Sequence, residues 1–243
     1  MHVVGYLLGL PLNSYVMVLL LNRRRSLDPC DVFTVNQAAA EIFFMLVAPF
    51  HILLYVSSET WFYHPLAFIF CTGMSVRALL QCWVCLDRYT AVIHPITFLK
   101  FRPLRYRVVM CVVAWINGIA VGIYGTYTFP AMPYQVFGVT FYIILSINTF
   151  SCLSILNTLR HPGPGERNTN RGMEDRAKKR AFQVVVINLV TFLVQNTPVA
   201  VIFILIGILP ATVSLLSSEA SMAVNIVMSF LQPVFVLHKA GKF

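Results

Sequence analysis

Again and again this chain runs apolar for long enough to cross a lipid bilayer, and that repetition restricts its fold more than any other feature. A hydrocarbon core about 30 Å thick takes roughly 20 helical residues to span. We read seven such segments, at approximately 3–22, 32–56, 62–88, 107–126, 136–159, 180–208 and 212–237. Strands fit poorly, because a membrane barrel alternates polar and apolar residues over about 10 positions, and runs such as VVVINLVTFLV do not alternate. Charged residues make up only 11% of the chain, against about a quarter in soluble domains. The expectation is an all-α membrane protein, a seven-transmembrane helix bundle that forms one domain over residues 1–243.

A net charge of +9 on a soluble protein would suggest nucleic acid. Here the basic residues follow topology instead, and no nucleic-acid partner is expected. Arg23, Arg24 and Arg25 follow the first span, and Lys100, Arg102, Arg105 and Arg107 lie between the third and fourth. A third group, from Arg160 to Arg180, separates the fifth and sixth, and Lys239 and Lys242 close the sequence. All these segments fall on one side of a seven-span bundle. The opposite loops, SSETWFYHP, YGTYTFPAMPYQ and ILPATVSLLSSE, contain neither Lys nor Arg. The positive-inside rule therefore predicts an extracellular amino terminus and a cytosolic carboxyl terminus, in a multi-pass protein of the plasma membrane. The first span reads as an anchor and not a cleavable signal, since its charges follow the apolar run and no small-residue cleavage site is present.

The pair Cys82 and Cys85 resembles a redox or zinc motif in spacing only. Inside a span it lacks the βαβ context and accessible thiolate of redox chemistry, and no second pair completes a zinc site. Small apolar packing residues are the better reading. Cys71 has no partner in any outer loop, so no disulfide, metal or cofactor is expected.

Two charges stand well inside the spans, Glu41 in the second and Arg77 in the third. Intramembrane charges are costly and usually face the bundle interior. Arg77 lies eleven residues before Arg88, about 16 Å along the helix axis, and Glu41 lies about 14 Å from the same surface. Matching depth and opposite sign predict a buried Glu41–Arg77 ion pair. Asn13, Ser229 and Gln232 fall at similar depth, as does Asn188. The layer either ties helices together or works as a switch.

LDRY closing the third span, with HP five residues later, resembles the rhodopsin-like G-protein-coupled receptors. GLPLN, ending in Asn13, is similar to that family's first-span pattern, and NQAAAE places Glu41 where the family usually has aspartate. Trp115 matches the fourth-span tryptophan, Phe192 and Pro198 match the sixth-span kink, and QPVFV resembles NPxxY. HPITFLKFRPLRYR is also similar to a group of fish receptors near the purinergic and protease-activated branch. There are departures. Tyr63 stands at the family's third-span cysteine position, Asn196 at its toggle tryptophan, and Gln232 and Val236 replace the asparagine and tyrosine of NPxxY. Arg77 stands where a small polar residue usually contacts sodium, which implies a site that carries its own positive charge.

The resemblance implies a receptor, not an enzyme. It passes an extracellular or membrane-borne ligand signal to a cytosolic heterotrimeric G protein by movement of the sixth span. Asp87, Arg88 and Tyr89 would meet the G protein, with Asp87 and Arg88 paired at rest. Phe192, Asn196 and Pro198 would form the span-six hinge, although a static kink serves Pro198 equally well. Glu174 or Asp175 would replace an absent acid lock at Lys178. The altered switch residues leave a constitutively active or non-signalling receptor as an alternative. A transporter or channel would need an internal repeat or paired broken helices, and neither is visible. A retinal photoreceptor would need a seventh-span lysine, and none precedes Lys239. His51, Tyr55, Tyr124, Tyr127 and Glu219 line the outer half as candidate ligand contacts, or as interfacial anchors. Their neutral and acidic character favours a neutral, lipid-like or cationic ligand over an anion.

Overall fold

The computed structural model describes residues 2–22, 29–57, 60–101, 103–128, 134–160, 171–205, 208–229 and 233–234. Among these residues every regular element is helical. The order is α1 (His2–Leu21), α2 (Pro29–Met45), α3 (Val47–Ser57), a 3₁₀ turn (Thr60–Phe62), α4 (Tyr63–Ile93), α5 (Pro95–Phe101), α6 (Leu104–Thr128), α7 (Tyr134–Arg160), α8 (Arg171–Leu205) and α9 (Ala211–Met228). Five stretches are long and apolar enough to cross a membrane, namely Asp31–Leu54, Tyr63–Ile93, Leu104–Thr128, Phe137–Thr158 and Val185–Leu205. Tyr6–Leu21 is a shorter apolar helix.

Prolines explain where helix boundaries differ from the hydropathy reading. The second span is two helices, broken at Leu46. Pro49 cannot donate to the Met45 carbonyl, and the Leu46 amide instead makes a tight bond to the Phe43 oxygen at 3.2 Å. The third span runs past Arg88 to Ile93 and stops because Pro95 drives His94 out of helical geometry, to φ −126° and ψ 65°. The seventh span's helix ends at Met228, short of the expected 237. Pro233 lacks the N–H that would bond the Ser229 carbonyl, and its ring crowds that oxygen. Conversely, α8 begins at Arg171, nine residues before the apolar run, because RGMEDRAKKR is rich in strong helix formers.

The helix α4 is the axis of the bundle, packing against α2, α3, α5, α6, α7 and α8. Its apolar window is 67% buried, against 28% for α6 and α7, so those two each turn a broad face outward. Phe44, Met74, Ala78, Phe141, Phe192 and Val199 form the main core where α2, α4, α7 and α8 meet. Among the described residues the five cysteines Cys71, Cys82, Cys85, Cys111 and Cys152 are free and buried, acting as packing groups.

Glycines bring α4 and α6 into very close approach. A Cβ on Gly118 would overlap Val76 Cγ2, and one on Gly122 would overlap Thr72 Oγ1. Four residues apart, the two glycines share one face and form the small-xxx-small pattern by which membrane helices approach closely. Each substitution to Val should cost about 1–3 kcal/mol by overpacking. Thermal melting of the purified receptor checks this; an unchanged midpoint would mean the helices separate freely.

Candidate functional site

Four helices contribute polar side chains to one buried cluster in the middle of the bundle. Arg77 of α4 donates from Nη1 to Glu41 Oε2 of α2 at 3.0 Å, with both side chains 4% exposed. Its Nη2 donates to Asn225 Oδ1 of α9 at 2.6 Å, a length typical of a charge-assisted bond. The guanidinium carbon also sits 3.7 Å from the centre of the Phe44 ring, a cation–π contact that stabilises a desolvated positive charge. Ser229 donates to Glu41 Oε2 at 2.7 Å.

Gln195 brings α8 into the cluster. Its Nε2 lies 3.4 Å from Glu41 Oε1 and 3.3 Å from Asn225 Oδ1. Its side-chain oxygen accepts from Gln81 at 3.3 Å, and its backbone oxygen accepts from Asn225 at 2.9 Å. One carboxylate and one guanidinium cancel, and neutral amides and a hydroxyl take up most of the remaining bonding capacity. The Arg77 Nε and Gln81 Oε1 atoms have no partner among the described residues.

The other residues singled out from the sequence divide. Asn13 is buried but bonds the Gly9 carbonyl of its own helix at 3.0 Å. Asn188 points elsewhere, toward Cys85 Sγ at 4.0 Å. Phe192 is core, and Asn196 bonds the Phe192 carbonyl of its own helix at 3.1 Å, two residues before Pro198. Gln232 lies outside the described residues, as do the side chains of Tyr55, Glu219, Glu174, Asp175 and Lys178. Tyr124 lines a cavity of about 560 Å³ between α4, α6 and α7, away from His51 on α3, and Tyr127 is 85% exposed. The outer aromatic set therefore does not converge.

Gln81, Gln195 and Asn225 went unread in the sequence. Helical spacing held a clue for two of them, since Gln81 follows Arg77 by four residues and Asn225 precedes Ser229 by four.

At the far end of α4, Asp87 is not paired with Arg88. Its Oδ1 accepts from Arg107 Nε at 2.9 Å and Nη2 at 2.6 Å, and Arg107 is also held near the Phe98 ring of α5. The resemblance implied an Asp87–Arg88 pair; a forked guanidinium arriving from α6 with two donors outcompetes an adjacent side chain on the same helix. Arg88 Nε is buried without a partner among the described residues. Tyr89 packs against His94 and Phe150, beside the apolar contact of Cys152 and Ile155 of α7 with Val185 of α8.

Comparison with known proteins agrees with this architecture. Proteinase-activated receptor 1 of Xenopus laevis is 30% identical over 125 residues, covering 49% of this chain and 30% of the relative. Proteinase-activated receptor 3 of Homo sapiens is 27% identical over 119 residues, covering 47% and 32%. A type 4 purinoceptor of Xenopus laevis is 25% identical over 117 residues, covering 46% and 22%. The matched stretch thus spans less than a third of the length of each of these relatives. The family model for the 7 transmembrane receptor (rhodopsin family) matches residues 12–238. The chain belongs to that family, as a multi-pass plasma-membrane receptor of the G-protein-coupled class and not an enzyme.

Proposed function

We propose that this receptor passes an extracellular or membrane-borne ligand signal to a cytosolic heterotrimeric G protein by displacement of α8. The observation that carries the reading is the Gln195 junction, where α8 is tied to α2, α4 and α9 through Glu41, Gln81 and Asn225. Two packings that differ in these bonds would be two signalling states, and a ligand shifts their populations by binding one better. Pro198, one turn beyond Gln195, supplies the weak point. Outward swing of α8 would lift Val185 from Ile155 and uncover Arg88 to the partner. The segregated basic segments support an outside amino terminus and a cytosolic carboxyl terminus. A G-protein dissociation screen against a broad ligand panel, with ion flux recorded in parallel, tests this. Dissociation without conductance is expected; conductance without dissociation would sink it.

A second reading, elevated basal signalling, is favoured by the engagement of Asp87 with Arg107, which leaves Arg88 without its neighbour's restraint. Arg107→Ala should free Asp87 for Arg88 and lower ligand-free dissociation. An unchanged or higher basal rate would count against it.

A further inference from the structure

The cavity between α4, α6 and α7 opens on the outer surface of the bundle, where Ile116, Ile119, Ile123 and Ile143 are exposed. That surface is apolar, and in a membrane-spanning receptor it faces lipid. The walls include Met74, Ala120, Phe141 and Tyr124, and no Lys, Arg, His, Asp or Glu. One polar pair interrupts them: Ser75 Oγ donates to Asn117 Oδ1 at 3.0 Å. Asn117 is exposed, and its acceptor oxygen is occupied by that bond, so its two amide hydrogens remain free to donate. Ser75 stands two residues from Arg77, about 3 Å along the helix axis, which places the pair near mid-bilayer. An unsatisfied donor facing hydrocarbon costs several kcal/mol, and lipid tails have nothing to offer it.

We propose that this cleft is a membrane-facing binding site for a neutral amphiphile, an apolar body bearing one uncharged acceptor oxygen that receives the Asn117 amide. A volume of about 560 Å³ lies within the ordinary range of small-molecule sites. Charge selects further. A carboxylate would accept the same bond but would lie in the cleft without a counter-charge, at a desolvation cost that one amide does not offset. A cationic group would find no acid. The site requires only that the bundle sits in lipid, and it is independent of G-protein coupling.

Photolabelling in membranes that contain the full chain tests this without any signalling readout. The probes are a diazirine-bearing hexadecanol, its methyl ether, the matching alkane and the matching fatty acid, with adducts mapped by mass spectrometry. The alcohol and the ether should label α4 and α6 around Ser75 and Asn117 about fivefold more than the alkane, the factor expected of one net hydrogen bond. The fatty acid should label no better than the alkane. Asn117→Leu should bring the alcohol and ether down to the alkane level. This change replaces an exposed amide by an apolar group on the lipid face, so folding should survive. Ala120→Phe, which fills the cleft, should reduce labelling by all four probes. Equal labelling by alcohol and alkane, preference for the acid, or labelling indifferent to Asn117→Leu would each overturn the proposal.

Discussion

Replacing Glu41 with Gln is expected to destabilise the receptor by about 3–5 kcal/mol, the usual cost of removing one partner from a buried pair. The change is nearly isosteric, so the loss comes from charge and not from packing. Arg77 would keep its Phe44, Asn225 and Ser229 contacts, yet none of those carries negative charge. Its guanidinium would remain desolvated at mid-membrane, where reaching water by extension is not available to a residue only 3% exposed. Adding Arg77→Gln should recover much of the loss, because two neutral amides can share the hydrogen bonds of Ser229, Asn225 and Gln195. Melting midpoints of the two single variants and the double variant measure this coupling. A drop on the order of 10 °C for the single change, partly reversed in the double, is the expected pattern. Additive losses would show that the two charges do not depend on each other.

Arg88→Ala is expected to remove G-protein dissociation while leaving surface expression intact. The two halves of that result have separate causes. Expression should hold because Asp87, the nearest acid, is already satisfied by Arg107 at 2.6 Å, so truncating Arg88 orphans no carboxylate. Coupling should fail because a charged group desolvated at an interface is worth about 2–5 kcal/mol, which corresponds to a loss of roughly thirtyfold or more. Cell-surface labelling and dissociation measured on the same cells separate the two. Dissociation that persists in the variant would refute the proposed role of Arg88.

Much of the fold is legible in the sequence because the bilayer imposes a length and a polarity that hydropathy reads directly. What hydropathy misses is backbone chemistry within an apolar run, and so the break at Leu46 ahead of Pro49 and the early end of α9 ahead of Pro233 need the proline rule. The centre of the candidate site is legible for a similar reason. Helix rise puts Glu41 and Arg77 at one depth, and charges are too rare there to be overlooked. Gln195 and Asn225 are harder to find, since neutral amides are tolerated in spans for many purposes and only the rotation of α8 and α9 shows that they face inward. The Asp87–Arg107 pair is beyond sequence reasoning altogether, because it depends on how α6 docks after the turn at Pro103.

The glycine contact between α4 and α6 has a practical consequence for instrumenting this receptor. Two helices locked backbone to backbone through Gly118 and Gly122 form a fixed reference frame, with α8 as the moving part. A fluorophore pair bridging the outward faces of α4 and α6 should report constant transfer efficiency in every state. Moving one dye to the Arg171 end of α8 would turn the same pair into a sensor, calibrated by the first.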